Sequence, residues 1–210
     1  PYSDPNNDAV QMNSSSNMIS YVLSRERKNG EQPGEQFYYN SGLSILLSGV
    51  LKDATGMPAD EYAEKTLFRE LGIDDYQWGS LNGTLHTGGG LFLRPRDLLK
   101  LGQMVLHLGR WNEKQIISES WIEESTALHL QIEESDNAIG YGYQWWIGEF
   151  RTGDKRYETV YASGHGGQFL WIVPELDLVV AALHHIPVDM EDIRSFHWEE
   201  VEQVVIPALL

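Results

Sequence analysis

Two short stretches of the chain gather groups that can move protons or hold a developing negative charge. In one, Tyr38, Tyr39, Asn40 and Ser41 stand directly before Gly42, where an apolar pattern of helical period begins. In the other, His165 lies inside Ser163-Gly164-His165-Gly166-Gly167-Gln168. A phenol hydroxyl and an imidazole can each give or take a proton. Glycines beside the histidine let the backbone approach a ligand closely. By residue type alone a plainer reading stands next to this one: two tyrosines at a helix start can be packing residues, and a lone histidine at a strand start is ordinary surface.

Other chemistry is excluded or weakly supported. With no cysteine in 210 residues, disulfides, thiolate metal sites and a cysteine nucleophile are ruled out, whereas either redox compartment is allowed. His184-His185 and His197 could suggest a metal, but no His-Glu-x-x-His spacing and no second carboxylate in a fixed relation accompany them, so no metal or organic cofactor is implied. Asp4, Asn6 and Asp8 have the opening spacing of a calcium loop, yet Ala9 replaces its glycine and Ser15 its closing glutamate, which favours a solvated loop. The triplet Gly88-Gly89-Gly90 after Thr87 lacks the lysine of a phosphate loop and the dinucleotide spacing, and reads as close backbone approach in a turn. Trp145, Trp146 and Trp171 are read as packing of a sheet against helices.

The charge balance, 31 Asp and Glu against 15 Lys and Arg for a net −16, repels phosphates and argues against nucleic acid or an anionic lipid surface as partner. No apolar run is long enough to span a bilayer. Pro1-Tyr2-Ser3-Asp4 has neither an initiator Met nor a signal-peptide pattern, so a fragment or processed product is expected.

These groups must be positioned by elements that the pattern predicts. Residues 1 to 17, rich in Asn, Ser, Asp and Pro, are expected to be irregular; 18 to 28 form a short helix and 29 to 34 a Gly/Pro linker. From Gly42 to Ala54, Leu43, Leu46, Leu47, Val50 and Leu51 follow the spacing of a helix that buries one face, with Gly56 as its left-handed cap. Further helices are predicted from Pro58 to Leu71-Gly72, from Pro95 to Leu108-Gly109 and from Ser118 to Leu128. Then come extended runs at Tyr141 to Phe150, Arg156 to Ala162, Gln168 to Val173 and Leu178 to Leu183, an antiparallel meander of about four strands. The tail from Asp189 to Leu209 carries Ile193, Phe196, Val201, Val204 and Val205 on one side and is predicted to be a helix lying on the sheet.

Taken together, Pro33-Gly34-Glu35-Gln36-Phe37-Tyr38-Tyr39-Asn40-Ser41-Gly42 and Ser163-Gly164-His165-Gly166-Gly167-Gln168 resemble serine hydrolases of the class C beta-lactamase and penicillin-binding type, with the related family VIII esterases and aminohexanoate-oligomer hydrolases. Gly89 to Leu98, Gly109-Arg110-Trp111-Asn112, Ile116 to Trp121, Gly140 to Trp146 and Val173 to Val180 are similar to stretches of the same family, so the likeness spans nearly the whole chain. It implies a single, partial α/β domain of the beta-lactamase/transpeptidase type over 1–210, an antiparallel sheet flanked by helices with its N-terminal part missing. Residues 41–130 would be the helical region, and 140–210 the sheet and last helix.

The family's site combines Ser-x-x-Lys, Tyr-x-Asn and a Lys-Thr-Gly or His-x-Gly motif. No serine here has a lysine three residues on; Ser24 and Lys28 are four apart. The resemblance therefore implies the later part of such an enzyme, inactive alone, whose nucleophile lies in an upstream segment. Tyr38-Tyr39-Asn40 matches Tyr-x-Asn literally, with Tyr38 as the tyrosine and Asn40 as the asparagine, but counting from Pro33-Gly34 through Phe37 to Thr55-Gly56 aligns the tyrosine with Tyr39 and puts Ser41 in place of the asparagine. Tyr39 and His165 are thus the expected catalytic pair, with Asn40, Ser41, Gly167 and Gln168 as substrate contacts. A phenol titrates near about 10 and acts as a base only beside cations, which the absent lysine and His165 would supply. The implied substrate is a small ester, amide or lactam. A non-catalytic binding or sensor module of the same fold is the alternative. Another chain or a second copy would complete the sheet, and the resemblance favours a periplasmic or secreted setting.

Overall fold

The computed structural model describes residues 4, 6–26, 32, 34–135, 137–184 and 196–210. The chain divides into two compact units, Pro1–Arg94 and Pro95–Leu210.

In the first unit α1, Asp8–Ser14, lies where an irregular segment is expected. The reason is local: the Asn7 side chain accepts from the Ala9 N–H at 2.9 Å, and Met12 is buried. α2, Met18–Leu23, is capped by Asn17 and ends earlier than the predicted helix. α3, Ser41–Thr55, begins at an Asn40 cap and ends at Gly56 in the left-handed conformation, as predicted. Its buried face is not the predicted one. Gly42, Ser44, Ile45 and Ser48 face inward, while Leu43, Leu47 and Val50 are 56%, 49% and 62% exposed. Small residues bring α2 close: a Cβ on Gly42 would lie 3.0 Å from Val22, and one on Gly49 3.0 Å from Ile19. Close approach of the two helices, with Met12, Met18 and Ile45 packed between them, selects the Gly/Ser face over the leucines.

The next predicted helix forms as three joined pieces, α4 (Ala59–Ala63), a π-helical turn Glu64–Phe68, and α5 (Arg69–Leu71), closed by left-handed Gly72. β1, Tyr76–Trp78, pairs with β4, Leu91–Leu93, around the small hairpin of β2, Ser80–Leu81, and β3, Thr84–Leu85.

In the second unit α6, Pro95–Leu106, packs on the sheet through Gly102, where a Cβ would lie 2.5 Å from Val179 and 2.9 Å from Leu170. The hairpin of β5, Arg110–Trp111, and β6, Lys114–Gln115, turns at Asn112 and Glu113, both at positive φ. α7, Glu119–Thr126, is capped by Ser118. β7 (Leu130–Ser135), β8 (Ala138–Tyr141), β9 (Trp146–Thr152), β10 (Lys155–Gly164), β11 (Gln168–Val173) and β12 (Leu178–Ala182) form one antiparallel six-stranded sheet in the order β12-β11-β10-β9-β8-β7. The sheet thus has more strands than predicted, and the run Tyr141 to Phe150 is broken: the chain turns so that the Gly142 N–H donates to the Trp145 carbonyl at 2.8 Å.

The core of this unit is aromatic, with Phe150 centred 4.4 Å from Trp198 and Phe169 stacked on Trp171 at 4.5 Å. Residues 196–200 are helical and continue into a π-helical turn, Val201–Val205. Val201 and Ile206 are buried here, but Phe196 and Val204 are exposed, contrary to the predicted face; Val201 and Ile206, one wide π turn of five residues apart, take the inward positions. Residues 189–195, with Ile193, lie outside the described residues. Among the described residues β12 and β7 each have one strand neighbour, and no helix is long and apolar enough to cross a membrane.

Candidate active site

The tyrosine loop belongs to the first unit. Its last residue, Asn40, has extended backbone, and its Oδ1 accepts from the Gly42 N–H at 2.8 Å, so this side chain is engaged in starting α3. Ser41 is the first helical residue and half-buried. Tyr38 and Tyr39 are both exposed, 42% and 58%, and the Tyr38 hydroxyl donates to Oε1 of Gln36. The glycine triplet supports this loop. Thr87 Oγ1 donates to the Ser44 carbonyl at 2.6 Å, and a Cβ on Gly88 would lie 2.8 Å from the Ser41 carbonyl oxygen. Close backbone approach, expected for Gly88, is what the structure holds. Its partner, the first turn of α3, was not legible in the sequence.

The histidine motif belongs to the second unit. Gly164 pairs with Gln168 across β10 and β11, so His165, Gly166 and Gly167 form the hairpin turn between the strands rather than the opening of a strand. Gly166 and Gly167 have φ of +82° and +78°. An L side chain at either would be strained, which explains two consecutive glycines. Both are buried, while His165 is exposed at the tip. The Gln168 side chain, unremarked in the sequence, donates from Nε2 to the Gly166 carbonyl at 3.0 Å and to the His184 carbonyl at 2.7 Å.

Tyr39, Asn40 and Ser41 are therefore gathered in one unit and His165, Gly167 and Gln168 in the other. The first group offers a phenol and a hydroxyl at a helix start, suited to proton transfer; the second offers an imidazole and a glycine-lined backbone, suited to holding an anionic oxygen.

His184 and His197, noted in the sequence, lie near each other. The rings of His184 and His197 are centred 6.1 Å apart, and His197 Nδ1 lies 3.7 Å from Glu200 Oε2. Among the described residues there is no cluster of three groups that could hold a metal ion; His185 lies outside them. His129 stacks on Tyr143 with ring centres 4.1 Å apart. The hydrogen bond from Tyr143 to Glu124 at 3.2 Å, with partial desolvation, raises the titration of that phenol. Trp146 joins the aromatic packing, its ring 4.9 Å from Tyr141.

Comparison with known proteins agrees with this architecture. The chain is 26% identical over 180 residues to the 6-aminohexanoate-dimer hydrolase of Paenarthrobacter ureafaciens, a match covering 81% of this chain and 44% of that protein. A beta-lactamase from Mycobacterium bovis superposes with a TM-score of 0.70 at 15% identity, over 92% of this chain and 75% of its own. The octameric penicillin-binding protein homologue from Pyrococcus abyssi gives 0.68 at 21% identity, over 87% and 46%. The chain thus spans less than half the length of the curated relative it matches. Residues 1–200 match the family described as Beta-lactamase, and with that match over nearly its whole length the chain belongs to the Beta-lactamase family.

Proposed function

We propose that the intact protein is a serine hydrolase that cleaves a small ester, amide or lactam through an acyl-enzyme, its nucleophile supplied by a segment outside these 210 residues. Membership of the Beta-lactamase family over residues 1–200 carries this reading. In the proposed cycle the serine oxygen bonds to the substrate carbonyl carbon, the leaving group departs with the serine's proton relayed through lysine and Tyr39, and water then releases the acid. His165 orients the substrate or the tyrosine. The Gln168 N–H serves as one oxyanion donor, with Gly167 leaving room for it and Ser41 as a substrate contact. The name of the Paenarthrobacter relative makes a linear amide of an amino acid one substrate to try first. The same outside segment is proposed to pair with β12, whose sequence, Leu178-Val179-Val180-Ala181-Ala182, has no charge or proline to guard its edge.

One observation favours a second reading, a binding module without turnover: no Ser-x-x-Lys occurs in the 210 residues. A fluorophosphonate and a penicillin-type probe separate the two. Labelling of the intact protein once, on a serine outside these residues, is the expected result. Labelling of a serine within them overturns the mechanism, and no labelling with retained substrate binding favours the module.

A further inference from the structure

We propose that the Gln168 side chain is the positioning residue of the His165-Gly166-Gly167 turn, a latch that fixes the direction of the backbone N–H groups at the start of β11. The inference rests on the hydrolase reading above and adds to it a residue acting through its side chain rather than its main chain.

A three-residue turn whose last two members are both left-handed glycines gains from a side chain that restrains it, since glycine samples many backbone states. An oxyanion donor is useful only when its direction is set before charge develops, so that no reorganisation accompanies the reaction. Gln168 supplies such a constraint. Its amide nitrogen carries two hydrogens, and the structure places two carbonyls on them: Gly166 at 3.0 Å, inside the turn, and His184 at 2.7 Å, just beyond β12. The first bond closes the turn on itself, and the second ties it to the neighbouring strand of the sheet. Gly164 makes room for this arrangement, since a Cβ there would come within 3.1 Å of the Gln168 Cβ and 3.5 Å of its Cγ. Asparagine is too short by one methylene to reach both carbonyls, and glutamate would present an acceptor to two acceptors.

Gln168→Met and Gln168→Glu in the intact protein test this. The methionine keeps the length and removes both donors; the glutamate keeps the shape and reverses the polarity. Both variants are expected to lower kcat by about ten- to a hundredfold, the scale of a small misplacement of a reacting group, with KM little changed. Amide hydrogen exchange should accelerate at residues 165–168 while the Phe150 and Trp171 amides keep their protection. Unchanged exchange in the turn, or a raised KM with kcat retained, overturns the proposal: the first means the side chain holds nothing, the second that it only contacts substrate. The two readings fail separately. If Tyr39→Phe abolishes turnover while Gln168→Met alters neither kcat nor exchange, the latch alone is wrong. If the wild type is neither labelled nor active, the hydrolase reading fails and the catalytic role of the latch with it.

Discussion

Gly88 and Ser41 touch through their backbones: a Cβ on Gly88 would stand 2.8 Å from the Ser41 carbonyl oxygen, at the first turn of the helix that carries the tyrosine loop. Backbone cannot move aside as a flexible side chain can. Gly88→Ala should therefore destabilise the protein by about 1–3 kcal/mol, the usual cost of forcing an extra group into a filled space. It should also lower turnover of the intact protein by displacing Ser41. A shift of the urea midpoint without a change of slope is the expected signature, and an unchanged midpoint would show that the loop is free to retreat.

The choice between the two tyrosines is open to a direct comparison. Tyr39→Phe in the intact protein should reduce kcat by about 10²- to 10⁴-fold, the range for loss of a general acid–base group. Tyr38→Phe should leave kcat near wild type, since that hydroxyl is engaged in donating to the neighbouring Gln36. The reverse pattern would move the register to Tyr38 and make Asn40 its third residue, which would then have to leave the cap of α3.

Glu64 predicts a pH dependence of stability. Its carboxylate accepts from Arg69 at 2.9 Å and from Tyr76 at 3.2 Å, and these bonds, the Arg69 one foremost, hold it below the ordinary carboxylate range. A group whose titration is lowered by folding contributes stability above its unfolded pKa and loses it as pH falls through the folded value. Because the pair is exposed the effect is small. The urea midpoint of Glu64→Gln should lie below wild type at about pH 7 and close on it in acid, as pH falls through the lowered folded-state titration of Glu64. An equal gap at both pH values would contradict the assignment.

The exposed stripe on α3 gives a prediction about the rest of the protein. Leu43, Leu47 and Val50 recur at spacings of four and three, the pattern by which one helix receives another. If the segment outside these residues covers them, Leu47→Lys should cost the intact protein about 2–4 kcal/mol, as expected for a buried leucine. In the 210-residue chain it should cost nothing and reduce self-association in light scattering. An intact protein indifferent to the change would leave the face uncovered.

Local chemistry explains what could be read from the sequence alone. The end of α3 at Gly56, the start of α6 at Pro95 and the turn at Gly153-Asp154, the latter half of the predicted Arg151 to Asp154 turn, depend on the conformational limits of single residues and their near neighbours, so they are legible without knowing what lies across the fold. The family motifs are legible for a similar reason, because a glycine-flanked histidine and a tyrosine before a helix are strings of residues. The buried side of α3 was not. Five apolar residues pointed one way, but the close passage of α2 over Gly42 and Gly49 decided otherwise, and that passage depends on Val22 and Ile19, some twenty to thirty positions away. β7 was missed because Leu130-Gln131-Ile132-Glu133-Glu134-Ser135 becomes a strand only through its pairing with β8. Likewise nothing near Gln168 in the sequence marks its side chain. Its second acceptor, the His184 carbonyl, is brought within reach only when β12 folds back beside β11, because a hydrogen bond needs its partners within about 3 Å and sequence distance sets no such limit.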